Sequence, residues 1–453
     1  MVLRLATYAS LVAALAGLSS ACGVGSSAPQ TADLPTPAPC RAPAYPAPDP
    51  HRPRYTLHIT VSPDAHAVTG TVRVAFTPDI ATRSIDFRLW PNSPLPRSHG
   101  GAITTGPVRV NGRPAASRLT NPTTLVVAHP VPAGATATVT VPFHDTLPQH
   151  LKDRISQRGT AIRLGSFFPI LPWVPGSGWA LEPPTPVPGE TSTSPAADFD
   201  ATIDVPAGLG VVATGVQVAP NRWKARAVRD FAVATGDFSY VRRVVHAPGP
   251  VDLTVAISSG VKVSPQGAAD EAQVALEHLS RLYGPYPWRT LTVAYGPDLV
   301  EEGIEYPNLI FQGPDRGHLL TAHEVAHQWF YSLVGNDQAR DPWLDEGLAS
   351  WAGAETSDDM PVFANVPVPS DVGGHLGEPM TFWDHHAKEY FAGVYGQGVQ
   401  ALGSLGRPAR IECALRRYAA RNAYRIATDA DLIAAFSTVF PQAREQLARY
   451  GVH

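Results

Sequence analysis

The chain has 453 residues, of which 44% are hydrophobic and 16% are charged, and its formal net charge is −4. This length and composition indicate a folded protein of two or three domains. The small net charge, without a stripe of basic residues, excludes the electrostatic attraction on which nucleic-acid binding depends.

The first segment of the chain predicts export. Residues 1–21 combine Arg4, an apolar run from Leu5 to Leu18 that is short for a membrane span, and small residues before Cys22. The segment resembles a bacterial lipoprotein signal, in which Cys22 becomes the lipid-carrying N-terminus; simple cleavage before Cys22 is the alternative. We therefore predict a cell-envelope protein on the outer face of the membrane, anchored by lipid on Cys22 or otherwise secreted.

Residues 22–50 are rich in Pro, Ala and Ser and have no apolar period, which is typical of a semi-extended tether. Cys40 and Cys413 are the cysteines that remain beside Cys22. In an oxidising compartment they could form a disulfide, and two separate free thiols are the alternative.

Residues 51–245 show the period of two that is typical of strands. Apolar residues alternate with polar ones around residues 55–61, 72–76, 85–89 and 136–141, and Asn111-Gly112 predicts a tight hairpin turn after Val108–Val110. Residues 166–200 are rich in Pro, Gly and Trp and predict an irregular excursion, after which strands resume. This region is predicted to be an antiparallel β-sandwich.

Residues 246–453 predict a mixed α/β region that becomes helical. We expect strands at Val251–Ile257 and Leu291–Tyr295 and helices at 267–283, at 321–334 and from Trp343 onward. The complete chain is therefore predicted to be an α+β protein of several domains.

The feature that points to chemistry is His323-Glu324-Val325-Ala326-His327. Histidines four residues apart on a helix lie on one face, where both can bind a single Zn²⁺, and the glutamate between them can take a proton from water. A catalytic zinc site needs three protein ligands and one open position. Glu346, which follows His327 after eighteen intervening residues, supplies the third ligand. Two surface histidines and a solvated glutamate are the alternative.

This spacing resembles the zinc signature of the gluzincin aminopeptidases, the family that includes aminopeptidase N and the leukotriene hydrolase/aminopeptidases. Trp343-Leu344-Asp345-Glu346-Gly347 matches the usual surroundings of the third ligand in that family. The resemblance implies a β-rich N-terminal domain at 51–245 and a thermolysin-like catalytic domain at 246–453. It also implies one Zn²⁺ per chain and peptide substrates with a free N-terminus.

Two further segments carry the resemblance. Glu302-Gly303-Ile304-Glu305-Tyr306-Pro307 aligns with the family's Gly-Ala-Met-Glu-Asn segment, so that Glu305 would bind the substrate amine and the backbone around Glu302 and Gly303 would pair with the substrate. Glu302 and Ile304 depart from that pattern. A loop carboxylate that caps the next element is the alternative for Glu305.

Tyr395-Gly396-Gln397-Gly398 resembles the family's Tyr-x-Lys-Gly segment, with Gln397 in place of lysine. Carried over, Tyr395 would donate a hydrogen bond to the oxyanion, with Tyr390 as a nearby competitor. The short stretch after Tyr395 leaves no room for the long helical C-terminal domain of many relatives, so we expect a more open cleft.

The function predicted from these residues is zinc-dependent removal of N-terminal residues from peptides. Glu324 would act as the general base, and Glu305 would confer selectivity for a free amine. A zinc endopeptidase with an open cleft and a surface binding or adhesion lipoprotein with weak catalysis are the alternatives. Glu301, Glu302 and Glu305 would form an acidic rim that favours cationic N-terminal residues, unless these carboxylates serve only solubility.

Overall fold

The computed structural model describes residues 40–187, 193–314 and 319–453, so the predicted export signal and most of the tether lie outside the described residues. Residues 42–453 form one compact unit. Within the described ranges, no helix is both long and apolar enough to cross a membrane. Cys40 and Cys413 are both disulfide-bonded, which makes the free-thiol alternative wrong.

The structure has strands throughout the region that is predicted to be rich in them. Its strands are β1 (Arg54–Val61), β2 (Ala67–Phe76), β3 (Ile85–Arg88), β4 (Ala102–Thr105), β5 (Arg109–Val110), β6 (Arg113–Pro114), β7 (Ser117–Asn121), β8 (Thr124–Val127), β9 (Ala137–Thr146), β10 (Ile155–Arg158), β11 (Ala161–Leu164), β12 (Trp173–Val174), β13 (Gly178–Trp179), β14 (Ala197–Asp204), β15 (Gly210–Ala213), β16 (Val216–Ala219), β17 (Arg222–Val228) and β18 (Val233–Gly236). Between β3 and β4 lie a 3₁₀ turn, Trp90–Asn92, and the short helix α1 (Pro94–Ser98).

A nine-stranded sheet in the order β16-β17-β14-β1-β2-β9-β5-β6, with β4 also on β9, lies beside smaller sheets β3-β8-β7 and β10-β11-β18-β15. Strand β1 buries every second residue, as its alternation predicts. The hairpin turn between β5 and β6 is at Asn111 and Gly112, both with positive φ. The prediction of a purely antiparallel arrangement is wrong, because β1 and β14 run parallel. A long crossover joins these strands, and only such a connection allows parallel pairing.

The rest of the chain combines a five-stranded sheet and a two-stranded sheet with helices. Its elements are β19 (Phe238–His246), β20 (Pro250–Ser258), α2 (Pro265–Tyr283), β21 (Thr290–Tyr295), β22 (Gly303–Tyr306), β23 (Leu309–Gln312), α3 (Leu319–Ala326), β24 (Gly335–Asn336), α4 (Trp343–Thr356), α5 (Met360–Ala364), α6 (Met380–Trp383), a π-helix (Phe391–Gly396), α7 (Gln397–Ser404), α8 (Pro408–Asn422), β25 (Ile426–Ala427), α9 (Asp429–Ser437) and α10 (Ala443–Ala448). The order of the five-stranded sheet is β19-β20-β21-β23-β22, which leaves β22 at an edge, and the two-stranded sheet is β24-β25.

The helix that carries the two histidines is shorter than the predicted 321–334. It ends at Ala326, and Ser332 N–H then donates to the carbonyl of His327 in a wider turn. The carbonyl of Phe330 accepts from Nδ1 of His327 at 3.1 Å. The backbone after the second histidine thus leaves the regular helix, and Tyr331 has φ 139°.

Candidate active site

The three predicted metal ligands meet at one point between α3 and α4. Nε2 of His323 and Nε2 of His327 are 3.0 Å apart, and Oε2 of Glu346 lies 3.2 Å from the first and 3.5 Å from the second. Zn–N and Zn–O bonds of ordinary length place neighbouring corners of a tetrahedron about 3.3–3.5 Å apart. The donor atoms therefore fit a single Zn²⁺, and three nitrogen and oxygen ligands form the donor set of a catalytic zinc site.

The protonation of these groups suits a metal. Burial lowers the pKa of His323, although Glu346 opposes the shift, and a neutral imidazole has the free electron pair that a metal needs. Burial alone would raise the pKa of Glu346, but the contacts with His323 and His327 outweigh it and hold that pKa below its ordinary value. The third ligand is consequently a carboxylate.

Asp345, for which sequence analysis predicted no role, fixes the ring of His327. Its Oδ1 accepts from Nδ1 at 2.7 Å, and both side chains are 1% exposed. Gln338 in turn donates to the other carboxylate oxygen of Asp345 at 2.7 Å. Burial would lower the pKa of His327, but Asp345 outweighs burial and raises it. Nε2 is thereby left to bind the metal, and the ring becomes a stronger electron donor.

Glu324 lies against the backbone of residues 302–307, the segment predicted to bind the substrate. Its carboxylate is 3% exposed, and a Cβ at Gly303 would lie 2.4 Å from Cδ and Oε1 of Glu324. A side chain at position 303 would therefore displace the carboxylate of Glu324. Glu305, Glu324 and His327 each offer an atom within 4.8 Å of the others. The predicted base is thus between a metal ligand and the predicted amine-binding carboxylate.

Glu305 lies on β22, at the edge of the five-stranded sheet, and is 6% exposed. Gly303 and Glu305 alternate along the strand with Ile304 and Tyr306, which are buried in an apolar cluster. The side chains of this strand therefore point to two sides: Ile304 and Tyr306 point into the apolar cluster, and Gly303 and Glu305 lie on the side of the metal ligands. The free edge of β22 can accept an added strand.

Tyr395 lies beside the first histidine. It belongs to the π-helix, an element often found at functional sites, and its ring stacks on His323 with centroids 5.9 Å apart. Burial, followed by the nearby Glu346 carboxylate, raises the pKa of Tyr395 well above its ordinary value, so the hydroxyl remains a donor. Tyr390 instead packs edge-on against Trp383.

The departures from the family pattern have visible roles. Gln397 is 3% exposed; it donates to the carbonyls of Gly393 and Val372 and accepts from the N–H of Gly374. Gln397 therefore attaches the loop at Val372 and Gly374 to the π-helix. Oε1 of Glu302 lies 3.6 Å from Nζ of Lys152, which counters part of the acidic charge predicted for the rim.

Arg229 of the β-rich region contacts the loop that follows the ligand His327, here called the metal loop. This guanidinium is 3% exposed and donates to the carbonyls of Ser194 and Arg425 at 2.9 Å and of Ser332 at 3.4 Å. A Cβ at Gly335 would lie 2.1 Å from its Nη1. Although burial lowers the pKa of Arg229 to about 10, the side chain is still a cation at neutral pH. It joins three distant segments beneath the site.

The fold is shared with solved structures. An M1 zinc metallopeptidase from Deinococcus radiodurans superposes with a TM-score of 0.63 at 18% identity, covering 90% of this chain and 96% of that chain. A mutant of the M1 zinc metallopeptidase from the same organism, bound to a Tyr-Ser-Ala substrate, superposes equally well. The chain therefore has the fold of a two-domain M1 zinc metallopeptidase, with a β-rich N-terminal region and a helical part.

Sequence comparison agrees. Residues 312–372, which contain the three candidate ligands, match the peptidase family M1 domain. Human aminopeptidase RNPEPL1 is 27% identical over 216 residues, 40% of this chain and 28% of that protein. Human aminopeptidase B is 26% identical over 167 residues, 34% of this chain and 25% of that protein. The matched part thus spans little more than a quarter of these relatives.

These findings confirm, at the level of the family, the predicted resemblance to the gluzincin aminopeptidases. They also confirm the predicted class of enzyme, a zinc-dependent hydrolase, and the single Zn²⁺ cofactor. The individual roles of Glu302, Gly303, Glu305, Glu324 and Tyr395 stay predictions, which the geometry above makes specific.

Proposed function

We propose that this chain is a zinc aminopeptidase that removes N-terminal residues from peptides. The observation that carries the proposal is the position of Glu305, a buried carboxylate within 4.8 Å of Glu324 and His327 but outside the three-ligand set. A carboxylate in that place can bind the ammonium group of a substrate through charge-assisted hydrogen bonds. An internal peptide segment has no such group to offer.

His323, His327 and Glu346 would hold the zinc. When bound there, Zn²⁺ supplies Lewis-acid chemistry, polarising a carbonyl oxygen and lowering the pKa of water. The chain's own contribution on this side is to keep the ring of His323 neutral through burial and to orient the ring of His327 through Asp345.

Glu324 moves the proton. Its carboxylate takes one proton as water attacks the scissile carbonyl, and passes it to the departing amine, so that the C–N bond breaks with a neutral leaving group. Tyr395, protonated and stacked on His323, donates to the oxygen that becomes negative in the tetrahedral transition state. The glycine at 303 lets the substrate backbone approach Glu324.

The substrate backbone is proposed to add to the free edge of β22. Main-chain hydrogen bonds along an edge strand bind a peptide with little dependence on sequence. Glu305 at that edge would then determine where the peptide begins, because it can bind the N-terminal ammonium through charge-assisted hydrogen bonds.

The test compares a good peptide substrate with its N-acetylated form on the zinc-loaded enzyme. The wild type should cleave only the free peptide, and Glu305→Gln should lower kcat/KM by about 10- to 100-fold through the loss of one charged contact. Equal cleavage of both peptides would instead establish an endopeptidase. Glu324→Gln should abolish turnover while zinc stays bound at one per chain.

We further propose that the enzyme is exported and held at the outer face of the membrane by lipid on Cys22, with residues 23–50 as the tether and the β-sandwich before a thermolysin-like catalytic domain. The support is the composition of residues 1–22, an apolar run followed by small residues and cysteine. Mass spectrometry of the mature N-terminus should find a diacylglycerol-modified Cys22; an unmodified N-terminus would refute the anchor.

A further inference from the structure

Gln328, the residue after the second histidine, bonds to the turn that carries the substrate strand. Its side chain is 0% exposed. Its Nε2 donates to the carbonyl of Tyr306 at 3.0 Å, and its Oε1 accepts from the N–H of Asn308 at 3.0 Å. Exchanging the amide's oxygen and nitrogen would place donor against donor and acceptor against acceptor, so both contacts fix one orientation.

The turn that Gln328 holds joins β22 to β23 through Pro307 and Asn308. Proline followed by a residue at φ 64° is the pattern of a type II turn. Type II turns match the twist of a hairpin less well than their mirror-image forms, and they let the strands splay. Gln328 thus forms hydrogen bonds to this turn on both sides of the proline.

These two bonds connect the two parts of the proposed site, the metal ligands and the strand that carries Glu305. Gln328 follows the metal ligand His327, and Tyr306 follows Glu305. Each pair of neighbours lies about 3.8 Å apart along the backbone. The bond between Gln328 and Tyr306 is therefore a direct side-chain connection between the residue after a metal ligand and the residue after the amine-binding carboxylate.

We propose that Gln328 is a positioning residue for substrate specificity: it sets the distance between the amine-binding carboxylate of Glu305 and the metal ligands. It touches neither substrate nor metal and acts through β22. This inference rests on the proposed aminopeptidase function and names the residue that makes the selectivity for a free amine geometrically possible.

The metal half of the site has separate supports, which makes the inference testable. The ring of His327 is held by Asp345, and Asp345 is held by Gln338, a second buried glutamine, which is 1% exposed. Loss of the Gln328 amide should therefore leave zinc binding nearly unchanged. Loss of the Gln338 amide should weaken zinc binding and leave amine selectivity in place.

The experiment makes the same substitution at both glutamines, Gln328→Met and Gln338→Met, in the full-length zinc enzyme. Methionine keeps most of the side-chain volume and removes both hydrogen-bonding groups. Two quantities are measured: the Kd for zinc by chelator competition, and the ratio of inhibition constants for leucinamide and its deamino analogue, 4-methylpentanamide. Only the amine differs between these two inhibitors.

In the wild type, leucinamide should bind about 10- to 100-fold more tightly than the deamino analogue, because one charged contact is lost. Gln328→Met should reduce that ratio by about tenfold with a zinc Kd within about threefold of the wild type, since small misplacements of a binding group are costly. Gln338→Met should do the reverse. A Gln328→Met protein with a wild-type ratio would overturn the inference, as would one whose zinc Kd rises as much as that of Gln338→Met.

Pro307→Gly covers the case in which Gln328→Met does not fold. It loosens the same turn without altering the metal loop, and it should lower the inhibitor ratio at constant zinc Kd; an unchanged ratio would refute the inference. A wild-type enzyme that binds both inhibitors equally would count against the proposed function itself. The two failures are therefore distinguishable.

Discussion

Asp345→Asn and Asp345→Ala test how the chain prepares a metal ligand. The carboxylate of Asp345 is buried, accepts from Nδ1 of His327 at 2.7 Å and accepts from Gln338 at 2.7 Å. Asparagine keeps an oxygen for the histidine if Gln338 turns its amide over, so this variant loses the charge but keeps the orientation. Alanine loses both the charge and this contact, and leaves the longer bond from Nδ1 to the carbonyl of Phe330 to orient the ring.

The expected magnitudes follow from that difference. Removing an outer hydrogen-bond partner of a ligating histidine costs about 10- to 100-fold in metal affinity. We place Asp345→Asn near the lower limit and Asp345→Ala near the upper, which corresponds to about 1.4 and 2.7 kcal/mol. The unliganded ring in the alanine variant can also turn its Nδ1–H away, which removes the preference for a free Nε2.

The assay is competition for zinc between the purified protein and a chelator of known affinity at one pH. Asp337→Asn is the matched control, because Asp337 is a neighbouring half-buried acid whose side chain, in the described part of the chain, contacts Thr193 and Arg340 rather than a metal ligand. The control should bind zinc as the wild type does. If Asp345→Ala also retained affinity within about threefold, a factor well below the expected loss, the assigned role of Asp345 would be wrong.

Three further predictions concern stability, chemistry and close packing. Asp145, fully buried on β9 with neither carboxylate oxygen hydrogen-bonded in the described part of the chain, has a pKa raised by burial. In the folded protein Asp145 keeps its proton, whereas in the unfolded chain it ionises above about pH 4. The unfolding free energy should therefore fall as the pH rises, by about 1.4 kcal/mol per pH unit relative to Asp145→Asn. This fall should end where the pH reaches the pKa of Asp145 in the folded protein. Urea titrations at several pH values measure this difference, and a flat difference would contradict it. Tyr395→Phe should lower kcat by about 10²- to 10³-fold with zinc content unchanged in the same preparation. Gly303→Ala should nearly abolish activity because its Cβ would collide with Glu324, whereas Gly249→Ala, which meets nothing within 4 Å, should keep wild-type kcat/KM.

The ligand set could be predicted from the sequence because it depends on local geometry. His323 and His327 are one helical turn apart, and Glu346 lies in the first turn of the next helix. Alternation likewise predicted β1 and β9, whose inner faces are buried residue by residue. In each case neighbours along the chain are also neighbours in space.

Sequence reasoning did not identify the residues that orient these groups. Asp345 is adjacent to the ligand Glu346, and its nearness to Nδ1 of His327 depends on how α4 packs against α3. The early end of α3 and the π-helix around Tyr395 are accompanied by particular side-chain contacts: the ring of His327 bonds to the carbonyl of Phe330, and the ring of Tyr395 stacks on that of Phe391. Backbone propensity contains neither signal.

Arg229 and Asp230 connect the β-rich region to the candidate active site. Arg229 donates to the carbonyl of Ser332 in the metal loop, while Asp230 accepts from Ser166, whose hydroxyl lies 3.1 Å from that of Tyr306 on the substrate strand. These two adjacent residues just beyond β17 thus connect to both parts of the candidate site, Arg229 directly and Asp230 through Ser166. Since a buried cation and a buried carboxylate are costly to misplace, this junction restricts how far the two regions can shift against each other. The β-rich region therefore contributes to the alignment of Glu305 with the metal ligands, the same alignment that Gln328 adjusts from within the catalytic region.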